Sequence, residues 1–260
     1  MISKLRSIAA VAVLGIAAAI GAPGAQANLV QNGGFENVTA LPTPNGAALT
    51  DNGFGLIGTN TTVANWSSTG FNYVYNSSNV STGVPNNTFG IQLWAPGDGS
   101  ANGLGSSPNG GNFIAADGAS NQGPITQTVT GLTAGKTYTV GFYYAAAEQL
   151  GFDAPTHSQW DVSFGGQSQS TQVLNIAGEG FSGWQYASLT FTASGSSDVL
   201  SFLAVGTPSG EPPFSLLDGV DVEVPEPGSA AIFLMGIIGV ESARRLRRKP
   251  RSSAMDNFTC

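Results

Sequence analysis

The clearest signal along the chain is an alternation of apolar and polar positions with a period of two. In Thr137 to Tyr144, the residues Tyr138, Val140, Phe142 and Tyr144 fall on one face and Thr137, Thr139, Gly141 and Tyr143 on the other, which is the pattern of a strand with one buried side. Trp160, Val162 and Phe164 repeat it, as do Leu189, Phe191 and Ala193, then Leu200, Phe202 and Ala204, and last Val220, Val222 and Val224. Earlier strands are predicted at Phe89 to Trp94, Asn112 to Ala116 and Ile125 to Val129. Turn-forming clusters such as Asn32-Gly33-Gly34, Asn109-Gly110-Gly111 and Gly165-Gly166 separate these runs. No window from 28 to 223 keeps helical spacing, and no repeat of fixed period argues for a solenoid or propeller. The expectation is an all-β domain, a single β-sandwich over residues 28–223, long enough for a packed core. Between Leu41 and Ser107 the Asn, Ser, Thr and Gly content suits long surface loops as well as weak strands.

The two ends follow different rules. Lys4 and Arg6 precede an apolar run from Ile8 to Ile20 and the small-x-small sequence Ala25-Gln26-Ala27, so residues 1–27 are predicted to be a secretory signal helix that signal peptidase removes before Asn28. Near the other end, Ser229 to Val240 is apolar but shorter than the roughly 20 residues that span a bilayer. The basic cluster Arg244, Arg245, Arg247, Arg248 and Lys249 follows, and such a cluster is held on the cytoplasmic side, leaving the preceding domain outside.

These elements carry a resemblance. Val224-Pro225-Glu226-Pro227, a short apolar segment and an Arg-rich end, in that order, resemble the PEP-CTERM sorting signal of Gram-negative bacteria. The resemblance implies recognition by an integral-membrane exosortase and cleavage near the Pro-Glu-Pro. It also implies passage through the inner membrane on a short hydrophobic transmembrane helix, then delivery to the cell surface or an exopolysaccharide matrix. The expected organisation is therefore a signal peptide at 1–27, an exported domain at 28–223, a sorting segment at 224–249 and a tail at 250–260. The tail departs from the usual pattern by continuing after Lys249.

Charge sharpens this division. Nine basic residues face 16 acidic ones in the whole chain, but eight of the nine basic residues lie in the terminal segments. From Asn28 to Glu223 there are 13 carboxylates against Lys136 alone, about −12. Such a domain is not a nucleic-acid binder, which needs a basic surface, and it favours cations and neutral sugars over polyanions. The single cysteine, Cys260, excludes an internal disulfide.

Three stretches of the exported domain are similar to galactose-binding-like jelly rolls, including carbohydrate-binding modules and DUF642-type domains. They are the opening Asn28-Leu29-Val30-Gln31-Asn32-Gly33-Gly34-Phe35-Glu36, the middle from Gly111 through Ile125 to Phe142, and the closing Leu216-Leu217-Asp218-Gly219-Val220-Asp221-Val222. The resemblance implies a jelly-roll topology and a structural Ca²⁺ between Glu36 and Asp218. From the alternation, Asp218 shares parity with Val220, Val222 and Val224 and is expected on the apolar side of the last strand, where a carboxylate needs a partner or a metal. Ca²⁺ takes six to eight oxygens, and these are two.

Trp66, Tyr73, Tyr75 and Trp94 lie in irregular sequence and are candidates for stacking on sugars, whereas Trp160 and Trp184 fit core strands. Catalytic signatures are sparse: no Gly-x-Ser-x-Gly elbow, a lone His157, and no phosphate-loop or dinucleotide motif. The leading expectation is a non-enzymatic surface or matrix protein associated with exopolysaccharide or another carbohydrate. The alternatives are a secreted polysaccharide-active hydrolase, using acids among Glu148, Asp153 and Asp161, or a purely structural matrix protein.

Overall fold

The computed structural model describes residues 28–40, 54–59, 61–76 and 91–224. The expected signal peptide, Pro225, Glu226 and Pro227 of the expected sorting motif, the apolar segment, the basic cluster and the tail all lie outside these residues. Fourteen strands run through the described chain. The early ones are short: β1 (Val38–Ala40), β2 (Phe54–Leu56), β3 (Thr61–Val63), β4 (Ser67–Ser68) and β5 (Asn72–Asn76). Next come β6 (Asn112–Asp117), β7 (Ile125–Thr130), β8 (Thr137–Glu148), β9 (Thr156–Phe164) and β10 (Gln167–Ser170). The last are β11 (Leu174–Ile176), β12 (Gln185–Thr192), β13 (Ser197–Thr207) and β14 (Pro213–Glu223).

They form the expected β-sandwich, of jelly-roll type. The first sheet has the order β12-β8-β14-β6-β5-β2, and the second has β10-β9-β13-β7-β4 with β11 also paired to β9. Every named strand pairing is antiparallel. The main core lies between the sheets. Tyr138, Val140, Phe142 and Tyr144 from β8 meet Trp160, Val162 and Phe164 from β9 and Leu200, Phe202 and Ala204 from β13. Trp160 is fully buried, its indole N–H donates to the Leu216 carbonyl at 2.9 Å, and its ring meets Phe202 edge-on at 6.1 Å.

A second apolar layer covers part of the first sheet's outer face. Tyr73, Tyr75, Phe113, Ala115, Ala145, Ala147, Phe214 and Leu216 project outward and are roofed by Leu93, Ala95 and Leu104, with Phe181 and Trp184 packed alongside. This explains why β6 is buried along its whole length: Ile114 and Ala116 face the main core while Phe113 and Ala115 face the second layer. The strand predicted at Phe89 to Trp94 is not formed within 91–94, where Leu93 makes one isolated bridge to Gln149. That segment serves as roof.

Candidate functional site

Beyond the roofed half, the outer face of the first sheet is open across β12, β8 and β14. Register places Tyr186 beside Tyr143 and Tyr143 beside Asp218; one pair further along, Ser188, Gly141 and Asp221 line up, and Thr190, Thr139 and Glu223 follow. Cross-strand neighbours share a face, so the two tyrosines and the carboxylates of β14 form one surface. Their rings meet edge to face at 5.2 Å, and Tyr186 is 55% exposed. The groove, about 520 Å³, is lined by Asn28, Gly33, Asn109, Tyr143, Tyr186 and Asp221 among others.

Gly141 lies beneath two of these side chains, Tyr186 and Asp221. A Cβ there would lie 2.1 Å from the Tyr186 hydroxyl oxygen and 2.5 Å from Asp221 Oδ2, so only glycine lets both side chains fold over the strand. The Tyr186 hydroxyl donates to Asp221 Oδ2 across 3.4 Å, a long bond. Burial, and then the Glu223 charge, raise the Asp221 carboxyl above its ordinary range.

Asp218 sits where β14 changes register. Asp218 pairs with Tyr143 and Asp221 with Gly141, leaving one extra residue on β14. Gly219 at φ 58° takes up this β-bulge. The bulge corrects the expected parity: Leu217, Val220 and Val222 face the main core, while Asp218 lies with Leu216 on the outer side. Asp218 is nonetheless fully buried, because the 107–109 turn closes over it. Ser107 Oγ donates to Oδ2; Asn109 Nδ2 donates to Oδ1 at 3.3 Å and the Gly219 N–H donates to Oδ1 at 2.6 Å. Burial dominates these bonds and, with help from the Glu36 charge, pushes its carboxyl up to about 7.

Glu36 arrives from the opening segment. Phe35 adopts φ 58°, an uncommon conformation for a bulky residue, and drives its ring into the core 5.2 Å from Trp66. Glu36 then points outward, and its Oε1 accepts the Asn112 N–H at 2.6 Å. The opening segment is stitched to β14: the Leu29 N–H donates to the Val222 carbonyl at 3.1 Å and the Val222 N–H donates to Asn28 Oδ1 at 3.0 Å. Glu36 and Asp218 are thus close enough for their charges to interact. The oxygens of Glu36, Asp218, Ser107 and Asn109 are hard donors of the kind Ca²⁺ takes. Among the described residues, no three His, Cys, Asp or Glu side chains group so that they could hold a metal, so a cation here would rely on neutral oxygens beside the two carboxylates.

The candidate aromatics are placed differently. Trp66, Tyr73 and Tyr75 are buried, which corrects the expectation that they offer stacking faces. Trp66 packs on Phe35 and Phe202 and donates its indole N–H to the Asn32 carbonyl at 3.0 Å. The Tyr75 hydroxyl donates to the Ile91 carbonyl at 2.5 Å, and burial pushes the Tyr73 hydroxyl up to about 12. Trp94 is half-buried, its N–H donated to the Phe152 carbonyl at 2.6 Å. Trp160 is in the core as expected, and Trp184 is half-buried against Phe113. Tyr143, which does line the groove, was readable only as a residue on the polar parity of a predicted strand, and Tyr186 lies upstream of the predicted run Leu189, Phe191 and Ala193.

Of the acids considered for hydrolysis, Asp153 lies near enough to Glu148 for their charges to interact, while Asp161 stands on the other sheet. Asp161, on β9 of the second sheet, accepts from Gln159 and Ser170; Glu148 closes β8 of the first. Glu148 is buried, with Oε2 accepting the Glu179 N–H and Oε1 without a partner among the described residues. Burial raises its carboxyl to about 7, with the charges of Glu211, Asp153 and Glu179 adding to the rise. His157 is exposed and bonded to Asn175.

No protein-family model matches the chain, and no curated protein does. Among solved structures, the chain is similar to a CBM61 module in complex with β-1,4-galactotriose. The identity is 14% over 75% of this chain and 97% of that one, with a TM-score of 0.40. It is also similar to a CBM4 domain, with 18% identity, coverage of 74% and 97%, and a TM-score of 0.32. A third is the C-terminal CBM6 of LamC from Zobellia galactanivorans, with 9% identity, coverage of 61% and 99%, and a TM-score of 0.30.

Proposed function

We propose that the chain is an exported, non-enzymatic carbohydrate-binding protein whose ligand lies on the open face of the first sheet. The observation that carries this reading is the pairing of an exposed tyrosine platform, Tyr186 on Tyr143, with carboxylates that can accept hydroxyl hydrogen bonds, in a groove of about 520 Å³. Sugars present an apolar face and a rim of hydroxyls, and a ring with polar groups beside it matches both. Ca²⁺, when held by Glu36 and Asp218 with Ser107 and Asn109 nearby, would neutralise the buried carboxylate and tie the opening segment to β14.

The leader at 1–27 and the Pro-Glu-Pro segment at 224–249 support delivery through the inner membrane to the surface or matrix, with exosortase and signal peptidase as processing partners. Glycan-array screening followed by calorimetry on residues 28–224, wild type against Tyr186→Ala, tests the binding reading. Loss of at least tenfold in affinity is expected, and unchanged affinity overturns the site. Fractionation with intact-mass analysis tests export: a full-length species confined to the cytoplasm rules it out.

A further inference from the structure

We propose that the glycan bound by the open face carries free amines: a polymer of 2-amino-2-deoxyhexose in which part of the amino groups are unacetylated. This rests on the reading that the face binds carbohydrate, and it follows from the inventory of donors and acceptors around the groove.

The amide side chains that could donate are already engaged within the protein, and the Tyr143 hydroxyl adds a single neutral donor. Asn28 Nδ2 donates to the Val220 carbonyl at 3.3 Å, and its Oδ1 accepts the N–H groups of Val30 and Val222. Asn109 Nδ2 is given to Asp218. What β14 turns toward solvent is a pair of carboxylates two residues apart on one face, Asp221 and Glu223. Asp221 has only the long bond from Tyr186, and its carboxyl is already raised by burial and by Glu223. No Lys, Arg or His lines the groove, and Lys136 is the one lysine or arginine between Asn28 and Val224. The wall is therefore rich in acceptors and carries uncompensated negative charge.

An uncharged hydroxyl supplies one donor and leaves that charge in place. A carboxylate or sulfate on the ligand sets acceptor against acceptor. An ammonium group brings three donors and a positive charge, and a charge-assisted bond is roughly twice as strong as a neutral one. The sugar ring bearing it still offers an apolar face to Tyr186, which sits on the strand next to the one that carries Tyr143.

The test is calorimetry at low salt with three hexamers: fully deacetylated glucosamine, its N-acetylated counterpart, and cellohexaose. The glucosamine hexamer is expected to bind wild type at least tenfold more tightly than the other two, and the gap is expected to close in 0.5 M salt (about a 4 Å Debye length). Asp221→Asn and Glu223→Gln should each bring the ratio of amine to N-acetyl affinity toward one, with unchanged thermal melts showing that the variants fold. Asp153→Asn, an exposed carboxylate outside the groove, should leave the ratio as in wild type. If cellohexaose or the acetylated hexamer binds as tightly as the amine, and Tyr186→Ala abolishes that binding, the inference falls while the carbohydrate reading stands. If none of the three binds except through a salt-sensitive association that Tyr186→Ala and Asp221→Asn leave unchanged, both fall. Binding of polygalacturonate only in the presence of Ca²⁺ also overturns the inference.

Discussion

Asp218→Asn is the most informative single change in this domain. The aspartate is fully buried, and the folded protein lifts its carboxyl from 3.8 to about 7. Below pH 3.8 the group is protonated in both states and contributes nothing to pH dependence. Between there and about 7 the folded state holds a proton that the unfolded chain has released, so stability falls as pH rises, by up to about 1.4 kcal/mol per pH unit. The full shift corresponds to a ceiling of about 4 kcal/mol, and water reaching the site and local relaxation bring the expected value to about 2 kcal/mol. Asn keeps the shape and carries no charge. In chelator, urea unfolding at pH 5 and pH 8 should show wild type losing stability with pH. The variant should lose about 2 kcal/mol less, some 4–8 °C in melting temperature for a domain of this size. With millimolar Ca²⁺ the proposed site requires the order to reverse at pH 8, because an ion held by the Asp218 carboxylate would stabilise wild type and not the variant. A wild-type curve in chelator that is flat or rises from pH 5 to pH 8 would refute the reasoning. Equal melting temperatures with and without Ca²⁺ would remove the ion.

Three further outcomes are expected. Glu148→Gln should behave as an independent copy of the same effect. Its carboxyl is raised from 4.5 to about 7, so at pH 8 in chelator the variant should gain about 1–2 kcal/mol over wild type and at pH 4 nothing. Its effect should add to that of Asp218→Asn, because the two sites are about 17 Å apart along β8; urea melts of the double variant check this. Gly141→Ala should leave the stability measured by urea unfolding within about 1 kcal/mol of wild type, since the obstructing atoms are the ends of side chains that can swing. It should nevertheless lower glycan affinity at least tenfold by displacing Tyr186 and Asp221, and unaltered calorimetry would refute that. Trp160→Phe should cost about 2–3 kcal/mol in urea unfolding, from a smaller ring and an unpaired Leu216 carbonyl.

The alternation of β8, β9, β12 and β13 was legible because each has one face in the main core, so their period-two pattern is the burial pattern itself. The roof was not legible. Leu93, Ala95 and Leu104 sit in irregular sequence, and nothing local says that they cover Phe113 and Tyr75. The same roof explains why Tyr73 and Tyr75, which read as loop aromatics, are buried. Asp218 and Glu36 were readable as a pair through the resemblance of the opening and closing segments. The side of the sheet on which Asp218 lies was not, because Gly219 reads equally well as a strand residue or as a bulge. The tyrosine groove was present in the alternation but hidden by it: Tyr143 falls on the polar parity, and an aromatic there has the same sequence signature whether it meets solvent, a roof or a ligand.

The extra residue in β14 has a consequence for how this surface can change. Upstream of Gly219 the strand obeys one phase, and downstream it obeys the opposite one, so the groove carboxylates and the core valines are assigned by count rather than by identity. Point substitutions can alter what stands on the face, but none can exchange the two sides. Removing Gly219 would not do so either: Val220 would follow Asp218 in plain alternation, leaving Val220 and Val222 in the core and Asp221 and Glu223 in the groove. A deletion of Gly219 should therefore still give a folded sandwich, without the bulge and without the Gly219 N–H bond to Asp218, which expression and circular dichroism of the deletion variant would show. The open face of the last strand is in this sense free in composition, and lineages of this chain could diversify the ligand surface widely without ever passing through a change of phase.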